Sequence, residues 1–227
     1  MANAKKLLIH THLGLGDHFI CCGVVRKTIL RNEYEEYVVA CYKHNYESVV
    51  LLFNDLKNTT VKIVESDREV EGMSHEPEYD YFRVCHWHVP GKGFDYSFYS
   101  MPGGYCIEDK RDYFKINRDF EKEKQLIEKL CPQEDFIFVQ DTSSVGDFNL
   151  NIPPHNFKVV KPDPSLGFAA AHYLGVLEKA KQIHVLHSSF ISLIDLALIR
   201  DELYYHRIKK SPYPDPTLFQ NWKLIDY

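Results

Sequence analysis

Residues 5–32 place a short apolar run, a glycine loop and a helical pattern in one continuous stretch of the chain. Residues 7–9 (LLI) follow two lysines and have the composition of a buried strand. Gly14 and Gly16 then interrupt the pattern, as glycines do where a chain turns or another molecule approaches its backbone. Apolar residues recur at helical spacing beyond them. The stretch predicts a strand, a loop and a helix, and open α/β sheets bind ligands beside such loops.

The alternation of strand and helix patterns continues along the rest of the chain. Apolar runs rich in β-branched and aromatic residues predict strands at residues 37–42, 61–64, 79–84, 136–140, 157–160 and 183–187. Helical spacing predicts helices at residues 45–56, 118–130 and 167–179, and again from Phe190 onward. Strands that alternate with helices form βαβ units and parallel sheets. We therefore expect an α/β protein.

A stretch rich in glycine, proline and aromatic residues, residues 86–113, separates the two halves of this pattern. Such a stretch inside a compact protein is either a functional loop or a connection between lobes. A chain of 227 residues is long enough for one α/β domain or two small ones. We expect two small Rossmann-like lobes facing across a cleft, with residues 1–105 in the first and residues 106–227 in the second.

Charge and cysteine content limit the classes of function. A formal net charge of -5 and a pI of about 6.2 argue against a nucleic-acid partner, because binding many phosphates needs a dense basic face. The six cysteines lie mostly in apolar runs, which favours reduced core residues over disulfides. The chain reaches Gly14 after few apolar residues. We therefore expect a cytoplasmic protein without a signal peptide or a membrane span.

Asp17 directly follows the glycine loop and begins the first predicted helix. A carboxylate at this position can act as a general base toward a hydroxyl group, although an aspartate in a first helical turn is also stabilising by itself. The loop does not begin a dinucleotide fingerprint, because Phe19 occupies the third glycine position and no acidic residue follows the second strand near Tyr42. NAD binding is therefore not expected.

Ser188 and Ser189 occupy the equivalent turn in the second half, between a predicted strand and a predicted helix. The free N–H groups at a helix start bind anions, and small residues let a phosphate approach closely, although serine is also a common helix cap. Arg118 adds a guanidinium group near the junction of the lobes, and arginine binds phosphate with two parallel hydrogen bonds. These three residues are expected to bind phosphate.

Histidines cluster around the first loop and the aromatic stretch. They are His10, His12, His18, His86 and His88. Their spacing matches no standard zinc framework, and the chain contains no Asp-x-Asp triplet. We therefore expect neither a metal ion nor a cofactor. His12 and His18 are the alternative bases beside Asp17.

Motifs in both halves resemble those of GT-B glycosyltransferases. The GLGD turn that ends at Asp17 resembles the N-terminal turn of enzymes that include the heptosyltransferase family, whose aspartate is the catalytic base. The segments FIFVQD and KQIHVLHSSFISLIDLAL are similar to the nucleotide-sugar half of fucosyltransferase-like families, in which two motifs surround the donor diphosphate. Asp141 matches the last acidic residue of the first motif. Ser188, Ser189 and Phe190 match the second.

The resemblance implies an inverting, metal-independent glycosyltransferase that moves a sugar from a nucleoside diphosphate sugar to an acceptor hydroxyl, with Asp17 as the base. The expected donor-binding residues are Gly14, Gly16, Arg118, Asp141, Thr142, Ser143, Ser188, Ser189 and Phe190. Trp87, His88 and Tyr105 in the aromatic stretch are expected to hold a carbohydrate acceptor, because flat apolar rings stack on sugars.

Two other classes of function fit the same sequence features. A sugar-nucleotide epimerase or hydrolase would use the same two-lobed cleft without an acceptor. A non-catalytic nucleotide-binding protein is favoured by the small size of the chain and by the absence of a complete catalytic motif. Release of free or altered sugar in the absence of an acceptor distinguishes the first class, and the second class shows nucleotide binding without turnover.

Overall fold

The structure is a computed structural model that describes residues 6–87, 89–143, 146–199, 202–208 and 214–227. The chain divides into two compact units, which we call unit 1 (Met1–Asn117) and unit 2 (Arg118–Tyr227). Each unit contains a parallel sheet together with α-helices, which confirms the predicted α/β class. No helix within the described ranges has both the length and the apolar composition that crossing a membrane requires.

Unit 1 is built on a four-stranded parallel sheet with the strand order β3-β2-β1-β4. The strands are β1 (Lys6–His10), β2 (Glu36–Tyr42), β3 (Thr59–Val64) and β4 (Tyr79–Arg83). The helices are α1 (Leu15–Ile29), α2 (Tyr46–Phe53), α3 (Asp67–Met73), α4 (Tyr96–Tyr99) and α5 (Asp109–Asp112), with a 3-10 turn at Lys43–Asn45. The central strands β1 and β2 are almost completely buried, as parallel strands between helical layers are.

The predicted strands of unit 1 are confirmed, and each ends within two residues of its predicted limits. Helix α3 was not predicted, because only Val70 and Met73 of its seven residues are buried and most of the others are charged. Its start is nevertheless well defined. Ser66 caps the helix by accepting a hydrogen bond from the backbone N–H of Glu69 at 3.3 Å.

Unit 2 is built on a five-stranded parallel sheet with the order β11-β10-β9-β5-β8. The strands are β5 (Phe136–Gln140), β8 (Lys158–Val160), β9 (Gln182–Leu186), β10 (Glu202–Arg207) and β11 (Lys223–Asp226), and β6 (Thr142–Ser143) pairs with β7 (Gly146–Asp147) in a short antiparallel ribbon. The helices are α6 (Phe120–Leu130), α7 (Leu174–Leu177) and α8 (Ser189–Leu196), with 3-10 turns at Pro164–Leu166 and Ala170–Tyr173.

The predicted helix at residues 167–179 is wrong as a continuous element. Gly167 adopts a left-handed conformation (φ 72), which ends the preceding 3-10 turn, so that helical structure resumes at Ala170. A 3-10 segment then leads into the single turn of α7. Gly175 of α7 packs closely against α6, because a Cβ atom there would lie 2.9 Å from Glu123 Oε2.

The division between the units lies later in the chain than the sequence suggested. Residues 106–117, which were expected in the C-terminal lobe, belong to unit 1. The reason is that α5 packs on α1, where Gly23 leaves room for the backbone of Asp109. Lys110 of α5 also forms a buried ion pair with Asp95, at 2.6 Å between Nζ and Oδ2. These contacts attach the end of the aromatic stretch to the first sheet and its helices.

All six cysteines are free thiols, and three of them belong to the core of unit 1. Cys21 and Cys22 of α1 and Cys41 of β2 are buried. Burial raises the pKa of the Cys22 thiol to about 12, which keeps the thiol protonated and therefore weakly reactive.

Candidate functional site

The strand order of unit 1 reverses beside β1, and the candidate site lies at this point. The chain runs from β1 to β2 and β3 on one side and then returns to β4 on the other side of β1. The loop after β1 therefore lies at the carboxyl end of the strand where the order reverses. In open α/β sheets, ligands bind in the crevice at this position.

The loop after β1 is strained before its glycines rather than at them. His12 (φ 58) and Leu13 (φ 59) adopt left-handed conformations, which side chains other than glycine rarely take. Gly14 has an ordinary φ of -66, and Gly16 already lies in the first turn of α1. Gly14 is needed for space, because a Cβ atom there would lie 2.5 Å from the Oδ2 atom of Asp17. The loop therefore seats the carboxylate of Asp17 directly over Gly14.

Asp17 is a partly buried carboxylate with a raised pKa. Its side chain is half-buried in the first turn of α1. Burial raises its pKa to about 6, and the negative charge of Asp67 adds to the effect. A base is most effective when its pKa lies near the working pH, so that it is ionised and still accepts a proton readily.

The two alternative bases are placed less favourably. His18 is buried, its Nδ1 atom lies 2.9 Å from Thr11 Oγ1, and burial lowers its pKa to about 3. Burial also lowers the pKa of His12, whose ring packs against Phe98 at 5.7 Å between centroids. Among the described residues, neither Nε2 atom has a hydrogen-bond partner. Both rings are neutral at physiological pH, and His18 has almost no access to solvent.

A second polar cluster of unit 1 was not identified from the sequence. His10, at the end of β1, places Nε2 2.7 Å from Asp67 Oδ1 and Nδ1 2.7 Å from the hydroxyl of Tyr81. The hydroxyl of Tyr42 donates to Asp67 Oδ2 at 3.2 Å. The cluster joins β1, β4 and the start of α3. A histidine as the last residue of the first strand was the signal in the sequence, but its partners lie more than fifty residues away.

The aromatic stretch contributes to the loop after β1, but not through all of its predicted residues. His86 and Phe98 pack against each other at 5.6 Å, and His86 also lies 6.5 Å from the ring of His12. Trp87 is 40% exposed, and His88 lies outside the described residues. Aromatic rings of this stretch therefore pack against the loop after β1, and the predicted acceptor contact stays a prediction.

Tyr105 does not lie where its predicted role in acceptor binding would require. Its hydroxyl bonds to Thr28 Oγ1 at 2.7 Å, near the C-terminal end of α1. Thr28 lies eleven residues after Asp17 along α1, which is about 16 Å at the rise of an α-helix. The phenol ring packs beneath the cations of Lys27 and Arg31. Tyr105 is thus at the opposite end of α1 from the proposed base, and an acceptor contact beside Asp17 is not supported for it.

In unit 2, the structure brings together the two predicted donor loops. The strand order reverses between β5 and β9, so the loop after β5 and the start of α8 lie at neighbouring carboxyl ends. Ser188 donates a hydrogen bond to Gln140 Oε1 at 2.8 Å and accepts one from the N–H of Phe190 at 3.3 Å. The amide of Gln140 donates in turn to the carbonyl of Thr142. Ser189 is the first residue of α8.

Phe190 is a core residue, which corrects its assignment as a donor ligand. It is 8% exposed and packs against Phe138 at 5.5 Å and Tyr173 at 5.6 Å between ring centroids. The motif match therefore reflects packing of α8 onto the sheet. Ser188 and Ser189 mark the helix start, while Phe190 anchors it.

A cavity of about 460 Å³ opens beside the loop after β5. It is lined by Asp141, Thr142, Asp147, Phe148, Asn149, Lys161 and Pro162. Lys161 Nζ lies 2.5 Å from Asp141 Oδ2, and the ribbon formed by β6 and β7 carries Thr142 and Ser143. The cavity thus combines a cation, two carboxylates and an aromatic ring with an amide group. Lys161, Asp147 and Asn149 were not identified from the sequence, because none of them belongs to a recognisable motif.

Arg118 is bound by two carboxylates of its own unit. Its guanidinium group pairs with Glu123 and, at 2.5 and 2.8 Å, with Glu178. These hydrogen bonds, to Glu123 first and then to Glu178, raise its pKa further above the usual range. Glu178 precedes the amino end of β9, whereas Ser188 follows its carboxyl end. The structure does not bring Arg118 to the serine turn, and its charge is already matched.

Two buried histidines of unit 2 belong to a hydrogen-bond chain with one direction. The side-chain carbonyl of Gln182 faces His184 Nε2 at 3.4 Å, so that this nitrogen carries the proton. His184 Nδ1 then accepts from His206 Nε2 at 3.0 Å, and His206 Nδ1 accepts from the hydroxyl of Tyr227 at 2.8 Å. Tyr227 in turn accepts from the backbone N–H of Asn151. Burial lowers the pKa of each histidine to about 4.

Across the part of the chain that the structure describes, no three histidine, cysteine or acidic side chains are grouped as metal ligands. No protein-family model matches the chain, and no curated protein matches it in sequence. Several solved structures have similar folds.

The chain is similar in fold to bacterial heptosyltransferases. ADP-heptose LPS heptosyltransferase II from E. coli aligns with 97% of this chain and 90% of its own, at 9% identity and a TM-score of 0.64. A family 9 glycosyl transferase from Veillonella parvula aligns with 98% and 86%, at 9% identity and a TM-score of 0.55. The iron-containing heptosyltransferase TibC aligns with 89% of this chain and 58% of its own, at 12% identity and a TM-score of 0.52. At these identities, the likeness shows a shared fold.

Proposed function

We propose that this protein is a GT-B glycosyltransferase that moves a sugar from a nucleoside diphosphate sugar to an acceptor hydroxyl. The observation that carries the proposal is Asp17, a half-buried carboxylate with a pKa of about 6 at the point where the strand order of unit 1 reverses. The fold shared with the heptosyltransferases supports it. Because a fold alone hosts many reactions, the geometry around Asp17 is the stronger argument.

In the proposed reaction, Asp17 accepts the proton of the acceptor hydroxyl as its oxygen attacks the anomeric carbon of the donor sugar. The bond between this carbon and the diphosphate oxygen breaks, and its electron pair leaves with the nucleoside diphosphate. Direct displacement inverts the anomeric carbon. A positioned base of this kind contributes about 10²–10⁴-fold to the rate.

We assign donor binding to unit 2, at the turn before α8 and the cavity beside Asp141. The first N–H groups of α8 suit the diphosphate, while Phe148 and Asn149 suit a nucleoside. Lys161 would contribute its charge by exchanging Asp141 for a phosphate oxygen. Helix and lysine charges can stabilise the leaving diphosphate without a metal ion, as the absence of an Asp-x-Asp triplet suggests. TibC was solved in complex with ADP-D-β-D-heptose, so ADP-sugars are the first donors to test.

The proposal is tested by measuring nucleotide binding and release. Thermal unfolding is followed with ADP, UDP, GDP, CMP and the corresponding nucleotide sugars, because a ligand that binds the folded state raises its apparent stability. The nucleotide sugar that binds is then incubated with and without a panel of sugar acceptors, and the release of nucleoside diphosphate is measured. Release that depends on an acceptor, with a new glycosidic product, supports transfer. Equal release without an acceptor indicates a hydrolase, and binding without release indicates a non-catalytic protein.

A further inference from the structure

The second polar cluster of unit 1 has a buried centre and exposed ends. His10 is 0% exposed, whereas Tyr81 is 36% exposed and the Asp67 side chain is 42% exposed. His10 bridges β1 and β4, the two strands between which the order of the sheet reverses. Tyr81 and Asp67 are therefore partly exposed residues on either side of a buried imidazole ring. A hydrogen-bond network with a purely structural role would not require Tyr81 or Asp67 to be exposed to solvent.

The charge of Asp67 determines the direction of the hydrogen bonds. Burial opposes ionisation of this carboxyl, but hydrogen bonds from His10 and Tyr42 outweigh it and lower its pKa. An ionised carboxylate only accepts hydrogen bonds, so His10 Nε2 carries the proton. Burial lowers the pKa of His10, whose ring is consequently neutral, and Nδ1 must accept the hydroxyl proton of Tyr81. The phenol oxygen then has no proton left to donate, and beside the hydrogen bond from Arg83 it keeps one lone pair for a further donor.

The charges around Tyr81 favour a neutral polar ligand. Arg83 of β4 lies near the phenol and forms an ion pair with Glu71 at 2.8 Å. A cation at Tyr81 would face Arg83, and an anion would face Asp67. A polyhydroxylated ligand carries no charge and supplies the hydrogen-bond donors that an acceptor-only oxygen requires. Its apolar ring face can also pack on the exposed phenol ring.

We propose that Tyr81 accepts a hydrogen bond from a hydroxyl group of a neutral sugar acceptor, and that His10 and Asp67 are positioning residues that keep the phenol oxygen an acceptor. The proposal rests on the function proposed above and adds a specificity-determining residue to it. It makes one hydroxyl of the acceptor essential, since a deoxy or O-methyl group at that position cannot donate to Tyr81.

The experiment uses free D-glucose, D-galactose, D-mannose and N-acetyl-D-glucosamine as probes, with binding measured by ligand-observed NMR. Tyr81→Phe removes the phenol oxygen and should weaken binding of the best probe by about 2–10-fold, the usual worth of one neutral hydrogen bond. Tyr34→Phe is the matched control, because it removes a hydroxyl that donates to Asp80 of the same unit at 2.9 Å. The control should bind the sugar as the native protein does.

A deoxy series of the best probe distinguishes recognition from a structural role. The analogue without the contacted hydroxyl should bind the native protein more weakly, and Tyr81→Phe should not weaken it further. Failure of all four sugars to bind, or equal losses in Tyr81→Phe and Tyr34→Phe, would overturn the inference. Sugar binding that depends on Tyr81 without any transfer would instead reject the proposed function and leave this site standing. Transfer by a Tyr81→Phe variant with unchanged acceptor KM would reject the site alone.

Discussion

The turns before α1 and α8 use the same strand-to-helix arrangement in opposite ways. Before α8, the hydroxyl of Ser188 caps the helix and bonds to Gln140. Before α1, Gly14 provides no side-chain cap, and the two preceding residues have left-handed conformations. The first turn also carries Asp17, whose ionised form is disfavoured by burial. The turn of unit 2 is capped by a serine that also bonds to a neighbouring strand, whereas the turn of unit 1 lacks a side-chain cap and carries a carboxylate with a raised pKa.

This contrast predicts that changing Asp17 affects turnover most. Asp17→Asn retains the size of the side chain but cannot accept a proton, so kcat should fall about 10²–10⁴-fold while donor affinity stays nearly unchanged. Asp80→Asn, an exposed carboxylate of β4, serves as the control and should retain activity. Near-normal turnover in Asp17→Asn, together with a collapse in His12→Ala, would transfer the role of base to the histidine.

The same substitution should stabilise the protein in a pH-dependent way. The pKa of Asp17 is about 6 in the folded protein, whereas an aspartate in an unfolded chain has a pKa of 3.8, so the folded state holds its proton more tightly. Stability from this group is present at low pH and falls as the pH rises through about 4 to 6. Asp17→Asn should therefore raise the free energy of unfolding by roughly 1–3 kcal/mol at pH 7.5, given 1.36 kcal/mol per pKa unit. Chemical denaturation at pH 7.5 and at pH 4 should show the gain at the higher pH alone.

Substitutions in the turn before α8 should change both the stability of the protein and its affinity for the donor. Ser188→Ala removes the helix cap and leaves Gln140 Oε1 without its serine donor, so the free energy of unfolding should fall by about 1–2 kcal/mol. Ser189→Ala is the matched control and should change it little. Replacing both serines with leucine should abolish the thermal stabilisation by nucleoside diphosphates while the protein remains folded. Unchanged ligand shifts in that double variant would contradict the assignment.

The smallest effect is expected from removal of divalent metal ions. The charge of the diphosphate is assigned to the start of α8 and to Lys161, which act without a metal. Nucleotide stabilisation and acceptor-dependent release should therefore be the same with and without EDTA. Loss of turnover in EDTA that manganese restores would place the diphosphate charge on a metal instead. Magnesium-free buffer without chelator provides the control.

Local sequence was sufficient to predict features that depend on contacts between residues close to one another along the chain. The strand, loop and helix around Asp17 follow one another within 28 residues of sequence, and their order defines the candidate site. Ser188 could be predicted for the same reason, because a cap bonds to a residue two positions later. Its bond to Gln140 was not predicted, because Gln140 ends β5 forty-eight residues earlier in the chain.

Pairing between distant segments explains what the sequence did not reveal. Arg118 was expected to bind phosphate, but Glu178 lies sixty residues away and nothing in the local pattern indicates that they meet. Tyr105 forms a hydrogen bond with Thr28 near the C-terminal end of α1, and Phe190 packs in the core against aromatic rings of other elements. The raised pKa of Asp17 likewise depends on burial by the whole unit. Residue type identified candidates, whereas tertiary contacts decided their roles.

The one-way hydrogen-bond chain through His184, His206 and Tyr227 also constrains how this protein can evolve. Each member donates to one neighbour and accepts from the other, so replacing one of them leaves a buried polar atom unpaired on its partner. Tolerated changes should therefore come in coupled sets, in which an apolar pair replaces both histidines together. Relatives of this chain that lack one of the two histidines should lack the other as well.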